Sequence, residues 1–272
     1  MKKFRNNKNV HYIIVNKTTM KGCLDDSFYD PPETSNNEKR NHSCPLAYGC
    51  DDHWTWNTNE KSEDIKLYGH RQRAVRFHPK WSNGTAGVRG TRALNDGRYY
   101  WEICVSQRIF GTSMMFGIGT KKSRLHVDGF INMIGEDDQS WGLSHKGYLW
   151  HNGNKRLYTK PFEENVPTTI GVYFDGIEGV LTFYKDRVNL GIAFTNLNYI
   201  QEPLYPIICS TAAKTEMALG IAKREYFSLQ DRCRDVVLQY VSYSNQVFEL
   251  NLPSKLKEFI IEEYNPMILN CE

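Results

Sequence analysis

Short aromatic and β-branched runs recur along the chain from Trp54 to about residue 220, and glycine, asparagine and aspartate separate them. They are AVRF (74–77), YYWEICV (99–105), MMFGIGT (114–120), YLWH (148–151), TIGVYF (169–174), VLTFYK (180–185), GIAFT (191–195) and YPIICS (205–210). Neighbouring side chains of a strand point to opposite faces, so Trp101, Ile103 and Val105 share one face and Tyr100, Glu102 and Cys104 the other. Asn95-Asp96-Gly97, Asn152-Gly153 and Asp175-Gly176 fall between runs and tolerate the positive φ that tight hairpins require. Many short strands with almost no helical periodicity predict a mainly β protein, an antiparallel sandwich or barrel.

Beyond this stretch the period switches. In SLQDRCRDVVLQYV the apolar positions are Leu229, Cys233, Val236, Val237, Tyr240 and Val241, which fall on one stripe of an α-helix. Ser228 followed by Asp231 resembles a capping box, with Asp in place of the usual Glu or Gln. A second helical segment is expected after Pro253, with Leu256, Phe259, Ile260 and Tyr264 apolar and Asn265-Pro266 stopping it. The chain thus divides into a tail over residues 1–50, a β-domain over 51–222 and a short helical appendage over 225–266, whose helices are too few to build a core of their own.

The front of the chain is divided by charge. Residues 1–21 hold six Lys/Arg and no acid, whereas residues 22–64 hold ten acids and three bases. DPPETSNNEKRNHS is rich in turn formers and poor in aliphatics, so burial cannot offset its ordering entropy and a flexible N-terminal tail is expected. The basic end also fits nuclear targeting or RNA contact, but a solvated tail is the plainer account. Its apolar run, Tyr12 to Val15, is too short for the core of a signal peptide, and no run approaches a membrane span. The sequons at Asn16, Asn41 and Asn83 then carry no glycosylation. Lys plus Arg number 34 against 31 acids, a net charge of +3 that leaves no nucleic-acid footprint. Seven cysteines, none in a C-x-x-C pair, predict scattered thiols in a reducing compartment. No nucleic-acid or membrane partner is expected, and the location is intracellular, in nucleus or cytoplasm.

Several stretches invite a catalytic or ligand-binding account and fail on spacing. Gly142-Leu-Ser144-His145-Lys-Gly147 has its second glycine one residue too far for a nucleophile elbow, and adjacent strand residues point apart, so His145 is badly placed to activate Ser144. Gly84-Thr-Ala-Gly87-Val-Arg-Gly90 lacks the Lys-Ser/Thr of a phosphate loop and precedes a strand rather than a helix, so its glycines read as bends and close sheet contacts. Glu136-Asp137-Asp138 lacks the further spaced oxygens of a calcium loop. Cys44, Cys50 and His53, with His42 nearby, fall outside the usual zinc spacing. No metal, cofactor or catalytic site is expected, and the chain is not read as an enzyme.

Taken in order, GTAGVRG (84–90), GRYYWEI (97–103), MMFGIGT (114–120), SWGLS (140–144), GVLTFYKD (179–186) and LYPIICS (204–210) resemble a SPRY domain, and the helical end resembles a SOCS box. Together they are similar to the SPRY-domain and SOCS-box family of substrate receptors. WTWN (54–57), SWGLSHKG (140–147) and CSTAA (209–213) are most like the family's third subgroup. The resemblance implies a bent antiparallel β-sandwich whose loops hold a short segment of a target protein. It also implies a short α-helical SOCS box that recruits ubiquitin-transfer machinery.

Residue by residue, the resemblance implies an elongin B/C contact through Leu229, Cys233 and Val237, with Leu238 and Val241 adding to it. An apolar stripe at this spacing suits a hydrophobic groove on a partner, the alternative being that it packs on the sandwich. Recruitment of a cullin, of the fifth type and with its RING protein, is implied at Leu250, Leu252, Pro253 and Leu256. Asn251 stands where the family pattern has its first proline. The target-peptide positions are His78, Pro79, Lys80 and Trp81 in the first loop, Phe130 in GFINMIG, and Thr211, Ala212 and Ala213. The first loop lacks the arginine of better-known members, and small residues replace a large aromatic in the third. Trp81 either supplies the aromatic contact instead or belongs to the core.

Overall fold

A computed structural model describes residues 44–262, apart from 47–48, 95–96, 227 and 242–243. Residues 1–43, the Asn95-Asp96 turn positions and the Asn265-Pro266 stop lie outside the described residues.

Two antiparallel sheets pack face to face. The first runs in the spatial order β14 (Val188–Phe194), β13 (Val180–Lys185), β12 (Thr168–Asp175), β6 (Arg98–Val105), β16 (Glu216–Arg224), β4 (Ala74–Phe77) and β3 (Ile65–Tyr68), with β1 (Cys50–Asp51) added on β16. The second runs β11 (Asn154–Leu157), β10 (Tyr148–His151), β9 (Ser140–Ser144), β7 (Met114–Gly119), β15 (Tyr205–Ser210), β5 (Thr85–Gly90) and β2 (Trp56–Lys61), with β8 (His126–Val127) on β5.

Both sheets feed one core, in which Trp101, Ile103 and Val105 of β6 meet Phe116, Ile118 and Ile208 of the second sheet. Trp54 bridges Trp56 and Trp101 edge-on, with ring centroids 5.4 and 6.2 Å away, geometries that favour the aromatic quadrupoles. The opposite face of β6 is closed as well. There the Glu102 carboxylate accepts from the Tyr100 hydroxyl at 2.9 Å and from Arg187 at 3.2 Å, so its burial is compensated.

In the glycine-rich segment 84–90, Gly84 lies in a bend and residues 85–90 form the fully buried strand β5, so the segment holds both a bend and close sheet contacts. A Cβ on Gly84 would collide with the Val127 carbonyl oxygen, a backbone atom that cannot give way, so the close contact at the start of the strand requires glycine there. Arg89 of the same strand is buried and donates to the carbonyls of Thr120 and Ser123 at 3.0 and 2.9 Å, with Glu60 3.3 Å away.

The Asn152-Gly153 turn joins β10 to β11 with φ of 49° and 70°, the left-handed pair that a two-residue hairpin needs. Asp186-Arg187 makes the same kind of turn between β13 and β14, with φ of 49° and 64° and no glycine. Asp186 accepts from the Thr169 N–H at 2.9 Å, and Arg187 reaches Glu102, contacts that hold a pair of residues disfavoured in this region.

Among the described cysteines, the thiols of Cys44, Cys209 and Cys233 are free, the Cys50 thiol donates to the Arg224 carbonyl at 3.7 Å, and Cys104 is disulfide-bonded. The prediction of thiols alone is corrected at that one position. Burial pushes the Cys209 thiol up to about 12, as expected of a thiolate denied solvent.

Three helices follow the sandwich: α1 (Leu229–Gln239), α2 (Ser244–Glu249) and α3 (Ser254–Glu262). The first and last match the expected segments, and α2 had no counterpart in the sequence pattern. Pro253 places its carbonyl where it accepts from the N–H groups of Leu256 and Lys257 at 2.9 and 3.2 Å, opening α3. No described helix is long and apolar enough to cross a membrane.

Candidate functional site

The three segments expected to hold a peptide converge at one end of the sandwich. The first follows β4, the second follows β8 and the third follows β15. Ser82 donates to the Thr211 carbonyl at 2.6 Å, joining the first to the third. Thr85 donates to the carbonyls of Gly129 and Ile131 at 2.6 and 3.2 Å and accepts from the Ile131 N–H at 3.1 Å, joining the first to the second. Trp81 and Phe130 flank these ties and stand out into solvent, 79% and 51% exposed. Trp81 therefore does not belong to the core. Pro79 and Lys80 are exposed beside it, and Ala213 is half-buried.

His78 is placed differently. It is fully buried, so it is a support for the loop rather than a surface that meets a ligand, and its Nε2 lies 3.1 Å from the Ser210 carbonyl oxygen. Thr211 and Ala212 are buried too. Thr211 Oγ1 accepts from the Ser113 N–H at 3.0 Å, and the Ala212 N–H donates to Ser210 Oγ at 3.0 Å. These three predicted positions thus lie beneath the rim, while Trp81 and Phe130 stand on it. Arg108, which sequence reasoning missed, lies 4.9 Å over the Phe110 ring and donates to the Ala213 carbonyl at 3.3 Å. A lone arginine in a loop carries no pattern by which it could have been found.

In the helical tail, α1 turns two different sides. Arg234 is buried, donates to the Ile260 carbonyl at 3.3 Å and covers the Phe259 ring at 5.0 Å, while Val247 and Ile260 are buried with it. Among the described residues the helices bury only these few side chains and form no hydrophobic core cluster of their own. Leu229 is 76% exposed, Cys233 and Val236 are exposed, and Val237, Leu238 and Val241 are half-buried. None of the described helix residues joins the main core of the sandwich. Leu250 and Leu252 are half-buried, and Pro253 and Leu256 are exposed at the start of α3.

Residues 98–222 match the SPRY domain family model. The chain is 38% identical over 210 residues to SPRY domain-containing SOCS box protein 3 of Xenopus laevis, covering 76% of this chain and 57% of that protein. It is 30% identical over 234 residues to protein gustavus of Drosophila melanogaster, covering 76% of this chain and 78% of that protein. The chain belongs to the SPRY domain-containing SOCS box protein family. It spans just over half the length of the third-member relative from the frog. Among solved structures, the TRIM65 PSpry domain gives a TM-score of 0.49 at 21% identity, covering 61% of this chain and 89% of that chain.

In this SPRY sandwich the chemically suggestive stretches have structural duties. Ser144 Oγ accepts from the Lys146 N–H at 3.2 Å, and His145 Nδ1 accepts from the Met114 N–H at 3.1 Å; both residues are buried. Burial also pushes the His145 pKa below its ordinary value. Glu136 pairs with Arg124, while Asp137 accepts from the Gln139 N–H at 3.0 Å. Among the described residues no group of three or more His, Cys, Asp or Glu is arranged to hold a metal ion.

Proposed function

We propose that this chain is the substrate-recognition adaptor of a cullin-RING ubiquitin ligase. In this account residues 51–222 act as the SPRY domain, whose loops take a short segment of a target protein. Residues 225–266 act as the SOCS box, which recruits elongin B/C and a cullin of the fifth type, leading to ubiquitination and degradation of the target. The bond-making chemistry would sit on the partners, and the location would be intracellular.

The observation that carries this is the exposed side of α1. Leu229 and Cys233 stand one turn apart with Val236 and Val237 a further turn on, and the helix spends its buried side on Arg234 and Ile260. An apolar stripe left in water is unfavourable by about 25 cal/mol per Å², and a hydrophobic groove on a partner removes that cost. A plain scaffold whose tail packs on the sandwich would bury Leu229 instead. At the other end, two exposed aromatics on loops tied by hydrogen bonds supply anchors of the kind that dominate peptide affinity.

Co-expression with elongin B and C tests the tail: the complex should co-purify, and Leu229→Ala with Cys233→Ala should abolish it. Retention of elongins by that double variant would overturn the assignment. Trp81→Ala and Phe130→Ala should each reduce capture on an array of short peptides, and unchanged capture by both would remove the pocket.

A further inference from the structure

We propose that Asp64 is the positioning residue that sets the three loops against one another, an inference that rests on the peptide-binding account above. Asp64 lies in the turn between β2 and β3, outside all three loops. Its Oδ2 is nonetheless 3.8 Å from Nδ1 of His78, at the root of the first loop, and 4.0 Å from Nδ1 of His126, at the root of the second. Its carbonyl accepts from the His78 N–H at 2.7 Å, and its own N–H donates to Ser62 Oγ at 3.2 Å.

From this turn the contacts reach every part of the rim. Ser62 Oγ is 2.9 Å from His126 Nδ1, and His126 Nε2 is 3.0 Å from Asp128 Oδ1, two residues before Phe130. His78 carries the link onward through Nε2 to the Ser210 carbonyl, at the start of the third loop. The Lys214 N–H closes the circuit by donating to the carbonyls of Phe77 and His78 at 2.8 and 3.1 Å.

His78 is where this arrangement is under most demand. Its φ is 43°, a left-handed conformation immediately before a proline, where the chain ordinarily prefers to extend. Its buried Nδ1 has no hydrogen-bond partner. A residue that is strained, buried and half-satisfied persists only where its surroundings over-determine it. The carboxylate of Asp64 is the charge that faces that nitrogen. The other charged groups around the turn are Glu63, exposed beside Asp64, Lys61, whose amine donates to the Ser62 and Ile65 carbonyls, and Asp128 on the far side of His126. None of these is drawn to two loops.

The test compares full-chain Asp64→Asn, Asp64→Glu, Trp81→Ala and Phe130→Ala on an immobilised library of short synthetic peptides, with thermal unfolding measured alongside. Asp64→Asn should weaken the tightest peptide about tenfold, the scale of a lost interaction with a charged group, with little change in the unfolding midpoint. Asp64→Glu should recover affinity to within about threefold, because the 3.8 Å gap admits a longer stem that keeps the charge. Wild-type affinity in Asp64→Asn, with peptide lost in Trp81→Ala and Phe130→Ala, overturns the positioning role alone. Wild-type affinity in both aromatic variants overturns the peptide-binding account itself. Should Asp64→Asn fail to fold, His126→Gln on its partly exposed ring takes its place, and undiminished affinity there overturns the proposal.

Discussion

The sandwich and the helical tail use the same apolar side chains, but only one of them closes on itself. In the sandwich, Trp56, Trp101, Phe116 and Phe183 are fully enclosed, because each sheet offers the other a continuous apolar face. The tail encloses Val247, Ile260 and the guanidinium of Arg234, and leaves Leu229, Val236, Tyr240 and Phe248 in water. Helices of 11, 6 and 9 residues cannot surround a core as two broad sheets can. The difference separates a sandwich that encloses its own core from an appendage that leaves much of its apolar surface exposed.

Four variants would break or sharpen that contrast. Trp101→Ala removes a fully buried ring from the centre of the sandwich and should cost about 3–5 kcal/mol, read as a lower midpoint in denaturant unfolding. A loss below about 1 kcal/mol would mean the core is less closed than the geometry indicates. Leu229→Ala with Cys233→Ala should lower elongin capture at least about tenfold while moving sandwich stability by less than about 0.5 kcal/mol. A matching fall in sandwich stability would erase the distinction between the two regions.

Arg234→Ala comes next. Its loss should destabilise the tail by about 1–3 kcal/mol, because the Ile260 carbonyl and the Phe259 face lose their partner together. Hydrogen exchange should quicken in α1 and α3 and stay unchanged in β6. The smallest effect is expected at Asp175. Burial alone would raise its carboxyl, but hydrogen bonds from Arg98 and from the N–H groups of Glu178 and Ile177 hold it below its ordinary value of 3.8. A carboxyl lowered in the folded state stabilises fully above its unfolded value, and that contribution is lost as pH falls through the folded one. Asp175→Asn should therefore flatten the acid side of the stability–pH curve below about pH 4. An unaltered acid limb would show that the pair contributes nothing there.

What could be read from the residues follows the same divide. Runs such as YYWEICV and VLTFYK announced their strands because aromatic and branched side chains pack on a pleated surface. The central strand β16 was silent. Gly220 accompanies a bulge between Leu219 and Ala222, and its sequence, EMALGIAKR, has no aromatic or alternating signature. Strand β5 was half legible: its glycines pointed to bends and close sheet contacts, but not to a fully buried strand. The Asp186-Arg187 turn had no glycine to signal it and depends on contacts from two distant strands.

At the rim, Trp81 and Phe130 were nameable from motif position, whereas the buried support from His78, Thr211 and Ala212 was not. Spacing along a chain does not report which of several neighbouring loop residues faces inward. Asp64 and His126, sixty-two positions apart, meet only through the pairing of strands β5 and β8 and of β2 and β5.

The short strand β1 pairs Cys50 and Asp51 with Arg224 and Lys223 at the end of β16, so the chain enters and leaves the sandwich at neighbouring points. A unit whose two ends meet behaves as a cassette: it can be spliced into another polypeptide, or joined end to end and reopened elsewhere, without stretching its own framework. The sandwich is in that sense portable, and the appendage it carries can be exchanged without redesigning the surface at its far end.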